Sequence, residues 1–293
     1  MISPCVLSDE ALYRLLADDA PAGDLTTETL GLRGQPGRLE FHARDAMTVC
    51  GTEEAVRLFT LAGASADRIV ASGVTVASGA LLLTAAGPAE ALHRAWKTAQ
   101  TLVKWAGGIA SGAAALVRAA APIPVACTRK NTPGVKALSI KAIQAGGAIV
   151  HRLGLSETLL VFAEHRVFLD EPLSITITRL RTRQPEKKIV VEVGSEDEAL
   201  SWAHAGAEVL QLEKFSPTAL RACRISSSIV VTTIPSATRV AHAGTRLFAP
   251  FTFTTHRKHD ANGSSRSSWH RVGISGTPAT RAASRIVIPL STR

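Results

Sequence analysis

The stretch KIVVEVGSEDEALSWAHAGAEVLQLE, residues 188–213, decides the fold class. Lys188–Val193 is a short, nearly continuous apolar run, the pattern of a strand buried on both faces of a parallel sheet. Ser195-Glu196-Asp197-Glu198 has the spacing of a capping box, so a helix begins there, and Gly206 stands where a helix stops. A second apolar run, Glu208–Leu212, follows at once. Strand, capped helix and strand in such short compass predict a βαβ unit.

The same alternation extends outward from this unit. Upstream lie apolar runs at Pro124–Cys127, Ala148–His151 and Thr158–Phe162. Downstream, Ser216-Pro217 puts a cap beside a proline at a first helical position. Repetition of this kind predicts a parallel sheet covered by helices, with an α/β barrel as its natural closed form. Nearer the N-terminus the signals mix. A helix is expected over Leu7–Leu16 after the N-cap Ser8, then a loop at Pro21–Thr27, strands at Gly37–Ala43 and Thr48–Cys50, and a helix over Glu53–Leu61. Gly73–Leu83 reads as a pair of short strands around a glycine turn, and a long helix runs from Pro88 to about Trp105, ending at Gly107-Gly108. The expected architecture is α/β: an N-terminal α+β sandwich over residues 1–110 and an incomplete parallel α/β barrel over residues 111–222.

The chain changes character at Cys223. Residues 223–293 carry ten Arg/Lys against one acid, Asp260, and 21 Ser/Thr in 71 positions. Removing these from the 33 basic and 24 acidic residues of the whole chain leaves 23 of each in residues 1–222, so the net charge of +9 belongs entirely to the tail. The whole chain is 46% hydrophobic, and residues 1–222, balanced in charge, have the means to bury a core. Apolar runs fall short of the ~18 residues that span a bilayer, and Asp9 and Glu10 interrupt any signal-peptide core. Cys5, Cys50, Cys127 and Cys223 are scattered without a C-x-x-C pair. That spacing argues for a reducing cytoplasm and against a disulfide framework or a zinc site.

Charged residues stand where each apolar run stops: Arg129 and Lys130, His151 and Arg152, His165, Glu192, then Glu213 and Lys214. Taken singly, each has a plain reading as a solvated pair, a satisfied histidine, a strand end or a local ion pair. Their shared placement favours function, because the C-terminal ends of barrel strands face one mouth. Several cations with two carboxylates suit a polyanionic substrate held partly through a divalent metal. No nucleophile–base signature is present.

Read in order, Gly23-Asp24-Leu25-Thr26-Thr27, Gly107-Gly108-Ile109-Ala110-Ser111, Thr128-Arg129-Lys130-Asn131-Thr132-Pro133-Gly134, His151-Arg152-Leu153-Gly154-Leu155, Val191-Glu192-Val193 and Leu212-Glu213 resemble the nicotinate-nucleotide pyrophosphorylase (quinolinate phosphoribosyltransferase) family. The likeness covers about residues 7–222. Ala95-Trp96-Lys97-Thr98-Ala99-Gln100 and Phe162-Ala163-Glu164-His165-Arg166 are similar to a branch of it associated with molybdenum uptake. The resemblance implies a cytoplasmic homodimer or higher oligomer that transfers a phosphoribosyl group from phosphoribosyl pyrophosphate to an acidic small molecule, releasing pyrophosphate. It implies that Arg129, His151 and Arg152 grip acid groups of the acceptor, with Lys130 near the reacting centre and Lys97 reaching in from a second copy. It further implies that Glu192 and Glu213 hold Mg²⁺ and ribose as catalytic and metal residues. Lys97 replaces the family's usual arginine and Glu213 its usual aspartate. Membrane and nucleic acid are not expected partners.

Two features depart from the family. Phe162 takes the place of an acid-pocket lysine, which disfavours the alternative that the chain is the quinolinate enzyme of NAD synthesis. After Ala222 the family's Gly-Gly and Ser-x-Gly phosphate segments are missing; Gly273-Ile274-Ser275-Gly276-Thr277 reads as a polar turn rather than a phosphate loop. Strands are expected at Ser228–Ile234 and Arg285–Pro289. An Arg/Ser/Pro/Thr-rich tail is what a G+C-rich gene yields when read out of frame, so a frameshift near codon 223 is the leading explanation. A genuine basic extension, or a non-catalytic binding protein, are the alternatives.

Overall fold

The computed structural model describes residues 5–213, 215–222, 229–233 and 284–290. In chain order the elements are α1 (Asp9–Asp19), α2 (Leu25–Thr29), β1 (Pro36–Ala43), β2 (Met47–Thr48), α3 (Thr52–Ala62), β3 (Ser65–Arg68), β4 (Thr75–Val76), β5 (Leu81–Pro88) and α4 (Ala89–Ala120). Then come β6 (Ala126–Cys127), α5 (Lys136–Ala145), β7 (Ile149–Val150), β8 (Leu159–Val161), α6 (Ala163–Arg166), α7 (Leu173–Arg183), β9 (Ile189–Val193), α8 (Glu196–Ala205), β10 (Val209–Glu213), α9 (Pro217–Ala222), β11 (Ile229–Thr233) and β12 (Ser284–Leu290). Lys214 and the Gly273–Thr277 segment lie outside the described residues. The chain divides into two units, and α4 runs across the division.

The first unit comprises residues up to Gly112, Gly134–Gly146 and β12. Its sheet has the order β12-β1-β5-β3, with β1 antiparallel to β5 and parallel to β12. Leu12 and Leu16 of α1, Leu39 and Phe41 of β1, Leu58 and Phe59 of α3, and Leu82 and Leu83 of β5 form one fully buried cluster. Each such side chain contributes about 1.5–3 kcal/mol by leaving water. The second unit comprises Ala113–Pro133 and the chain from Gly147 through β11. There β11-β10-β9-β8 form a parallel sheet and β6 pairs with β7, also in parallel. Val191, Val193, Leu210 and Leu212 pack with Ile177 of α7 and Trp202 of α8. The α/β class is as expected; among the described residues the strands close no barrel.

Local chemistry explains most boundaries. Ser8 Oγ accepts the Ala11 N–H at 3.2 Å, and Ser216 Oγ accepts the Ala219 N–H at 3.1 Å. At α8, Ser195 Oγ accepts from Glu198 N at 3.2 Å, while the Glu198 carboxylate reaches the N–H of Gly194, at 2.8 Å, instead of that of Ser195. Gly206 ends α8 with φ +101°. Strands β11 and β12 fall within the Ser228–Ile234 expectation and around Arg285–Pro289 respectively.

Two expectations need correction. Leu25–Thr29 is helical rather than part of a loop, because Asp24 caps it, accepting from the N–H groups of Thr26 and Thr27 at 3.0 and 3.1 Å. The long helix does not stop at Gly107-Gly108 but continues to Ala120. Gly107 serves packing: a Cβ there would collide with Met47 Cε. A glycine chosen for close approach looks the same in sequence as one chosen to end a helix.

Candidate functional site

Parallel pairing gathers the charged strand ends of the second unit. The His151 N–H donates to the Cys127 carbonyl at 2.9 Å, which sets the start of His151-Arg152 beside the end of β6 and the start of Thr128-Arg129-Lys130. On the larger sheet, Glu192 of β9 is in register with Gln211 of β10, and Glu213 lies two residues on, on the same face of β10. Arg129 and Lys130 are exposed, His151, Glu192 and Glu213 are half-buried, and Arg152 is only 5% exposed.

Electrostatic influence links these ends in two groups. Burial, then the charge and hydrogen bonding of Glu213 and the charge of Glu164, push the Glu192 carboxyl up to about 7, against the opposing pull of Lys130. Burial, then the neighbouring Arg152 charge, holds the His151 imidazole below its ordinary value, with Glu157 opposing. Burial and then the Arg129 charge lower Arg152. Lys130 is thus within electrostatic reach of Glu192, as Arg129 is of Arg152. The cations of β6 and β7 form one cluster, and the carboxylates of β9 and β10 form another that Lys130 reaches.

Three neighbours complete the geometry. Gln211 Nε2 donates to Glu192 Oε2 at 2.7 Å, orienting that carboxylate. The Arg152 guanidinium lies 5.5 Å from the centroid of the Phe162 ring, and the His165 ring stacks on Phe162 at 5.4 Å with 14° between planes. The Phe162 N–H donates to His165 Nδ1 at 3.0 Å, which holds the imidazole in that stack. His165 therefore acts as support for an aromatic wall. Sequence reading missed Gln211 and Glu164; the signal for Gln211 was its place two residues before Glu213 on a period-two strand. Lys97, in the first unit, is exposed on α4, its ammonium 4.6 Å from the Trp96 ring centroid and donating to Gln100 at 3.1 Å.

The donor set fits Mg²⁺. The neighbouring Glu213 adds to the cost of ionising Glu192, and a hard divalent cation removes that cost. Among the described residues no group of three or more potential metal ligands occurs. Mg²⁺ commonly takes only one or two carboxylates from the protein and completes its shell with water and substrate phosphate.

The chain matches the quinolinate phosphoribosyl transferase N-terminal domain over residues 24–107 and the C-terminal domain of that enzyme over residues 109–249. It is 53% identical over 217 residues to the protein named pyrophosphorylase ModD of Rhodobacter capsulatus, covering 72% of this chain and 84% of that one. Its identity to the protein of the same name in Escherichia coli O157:H7 is 41% over 217 residues, covering 72% and 76%. Among solved structures, NadC from Streptococcus pyogenes superposes with a TM-score of 0.73 at 23% identity, covering 82% of this chain and 89% of that one. The nicotinate-nucleotide pyrophosphorylase of Francisella tularensis gives 0.71 at 18%, covering 87% and 96%.

Proposed function

The chain belongs to the quinolinate phosphoribosyltransferase family, and on that premise we propose that it is a pyrophosphorylase of the ModD kind: a pentosyltransferase that moves a phosphoribosyl group from phosphoribosyl pyrophosphate to an acidic acceptor. The bond from the ribose C1 to pyrophosphate breaks and a bond from C1 to the acceptor forms. Positive charge grows on the sugar and negative charge on the leaving group, so the catalyst needs placed carboxylates, placed cations and little water, not a protein nucleophile.

The observation that carries the reading is the pair of carboxylates, Glu192 and Glu213, with Lys130 within reach. Glu192 and Glu213 hold Mg²⁺ in this proposal, and the metal, when bound, neutralises charge on the departing pyrophosphate. Gln211 fixes the Glu192 carboxylate. Arg129 and Arg152 bind acid groups of the acceptor, His151 supplies a neutral hydrogen-bonding imidazole, and Lys130 sits by the reacting centre. The enzyme acts in the cytoplasm as a homodimer in which Lys97 of a second copy reaches the site, and its product serves molybdenum handling. Among the described residues no helix is long and apolar enough to cross a membrane.

The nicotinate-nucleotide pyrophosphorylase reading is second. Relatives of that name are 28–29% identical, against 53% for ModD, and the Phe162 ring beside Arg152 offers no cation to a second acid group. Pyrophosphate release from phosphoribosyl pyrophosphate, with Mg²⁺ and a panel of aromatic acids, tests the proposal. Release that depends on one acid and disappears in Glu192→Gln supports it. No release with any acid favours a binding protein.

A further inference from the structure

A buried ionic cluster secures α5, a segment of the first unit that the chain enters from β6 and leaves for β7. Lys141, on α5, donates from Nζ to Glu53 Oε2 at 2.9 Å and to both Glu54 oxygens at 2.8 and 2.7 Å. Its side chain is 6% exposed, those of Glu53 and Glu54 7% and 0%. Both carboxylates are satisfied further: Glu53 accepts from Arg68 at 2.6 Å and from the Ser72 N–H and hydroxyl at 3.0 and 2.5 Å, and Glu54 accepts from the Val6 N–H at 2.9 Å. Such a network is costly to bury unless every member is paired, as here.

Its position in the chain gives the network a second role. α5 and its flanks, Gly134–Gly146, belong to the first unit, whereas β6 before and β7 after it belong to the second. The departing segment carries Arg129 and Lys130, and the returning one carries His151 and Arg152. Lys141 lies midway between Lys130 and His151. Gly134, which opens the segment, and Gly147, which follows its last residue, have left-handed backbone, each at φ +82°. A Cβ at Gly134 would meet nothing within 4 Å, and one at Gly147 would make only an ordinary contact at 3.7 Å. These glycines are therefore required for backbone conformation rather than for space. Locally α5 is weakly secured: its N-cap, Val135, makes no side-chain cap bond, and its first turn has no acid.

We propose that Lys141 is a positioning residue: by fastening α5 to Glu53 and Glu54 it fixes both chain ends that present the acceptor-binding cations Arg129, Lys130, His151 and Arg152. The link to acceptor binding rests on the function proposed above. The structural part does not.

The test compares three full-length variants by amide hydrogen exchange and by the kinetics of pyrophosphate release. Lys141→Met removes the cation. Glu53→Gln/Glu54→Gln/Lys141→Met removes the charges of all three residues and leaves Arg68 to donate to the amide oxygen introduced at position 53, so the measurement survives if the single change fails to fold. Lys141→Arg keeps charge and donors. Exchange in residues 128–135 and 148–153 is expected to rise about tenfold in the first two, with β9 and β10 unchanged. The KM for the acceptor is expected to rise about tenfold with kcat within about threefold, and Lys141→Arg to stay near wild type. A rise confined to residues 136–145, or a uniform rise that includes β9 and β10, overturns the proposal. If the wild type releases no pyrophosphate, the proposed function fails while exchange still decides the role of Lys141.

Discussion

At Glu192 the opposing influences on a single carboxyl group are visible together. Burial and Glu213 raise its pKa to about 7, and Lys130 acts the other way. Glu192→Gln keeps an oxygen to accept from Gln211, so the fold should hold while the charge is lost. Activity is expected to fall about 10²–10³-fold, the range for removing one electrostatic group from a transition state. Steady-state pyrophosphate release alongside a melting curve checks this; an active Glu192→Gln enzyme removes the group from the chemistry. Phe162 carries a prediction about specificity. Where a charge-assisted bond to a second carboxylate would be worth about 1.5–3 kcal/mol, its absence costs roughly 10- to 150-fold. Quinolinate should therefore be turned over poorly, and Phe162→Lys should recover part of that factor. Efficient quinolinate turnover by the wild type contradicts the specificity argument. Charged residues at strand ends were legible because they interrupt apolar runs. Gln211 and the Arg152–Phe162–His165 stack were not, because an uncharged amide on a strand and a phenylalanine after one look like ordinary packing.

At the scale of elements, α4 shows what sequence can and cannot convey. Its beginning and its apolar face are readable from residue spacing, whereas the close approach of Gly107 to Met47, distant in sequence, is not. The two glycines should respond oppositely. Gly107→Val forces a side chain into Met47 and should cost about 1–3 kcal/mol. Gly108→Ala meets nothing within 4 Å and should gain about 0.5–1 kcal/mol from the stiffer chain. Urea denaturation of the two variants measures both signs, and stabilisation by Gly107→Val would count against the packing account. Helix α3 adds an acid-stability prediction. Burial raises the Glu53 carboxyl, but hydrogen bonds from Ser72 and Lys141 outweigh it and hold the group at about 2, against an unperturbed 4.5. A carboxyl depressed on folding stabilises fully above its unfolded pKa and loses that contribution as pH falls through its folded one. Stability should decline from about pH 4.5 toward 2, by an amount on the order of 3 kcal/mol. Unfolding free energies at pH 6 and pH 3 should differ less in Glu53→Gln; an equal difference would place the acid sensitivity elsewhere.

Across the whole molecule, composition and resemblance divide the chain in different places. The family match runs to residue 249, past the break in composition at Cys223, and β11 continues the parallel sheet beside β10. The repeated strand–helix pattern made the parallel sheet legible, and the caps made its helices legible. Which strands join, and that residues 134–146 group with the first unit, depended on long-range contacts that no local pattern encodes. Because the family match continues through residue 249, it counts against a frameshift as early as codon 223, and the out-of-frame reading that we propose is confined to residues 250–293. Resequencing should find a one-base change that restores the Gly-Gly and Ser-x-Gly pattern, and an intact frame would make the basic tail genuine. The central claim, phosphoribosyl transfer at a site built on Lys130, Glu192 and Glu213, is tested most directly on protein expressed from the resequenced gene. The measurement is pyrophosphate released from phosphoribosyl pyrophosphate and Mg²⁺ as aromatic acids are supplied one at a time. Catalytic release with a particular acid, dependent on Mg²⁺ and abolished by Glu192→Gln, is the predicted result; no release with any acid, from a folded protein, would contradict it.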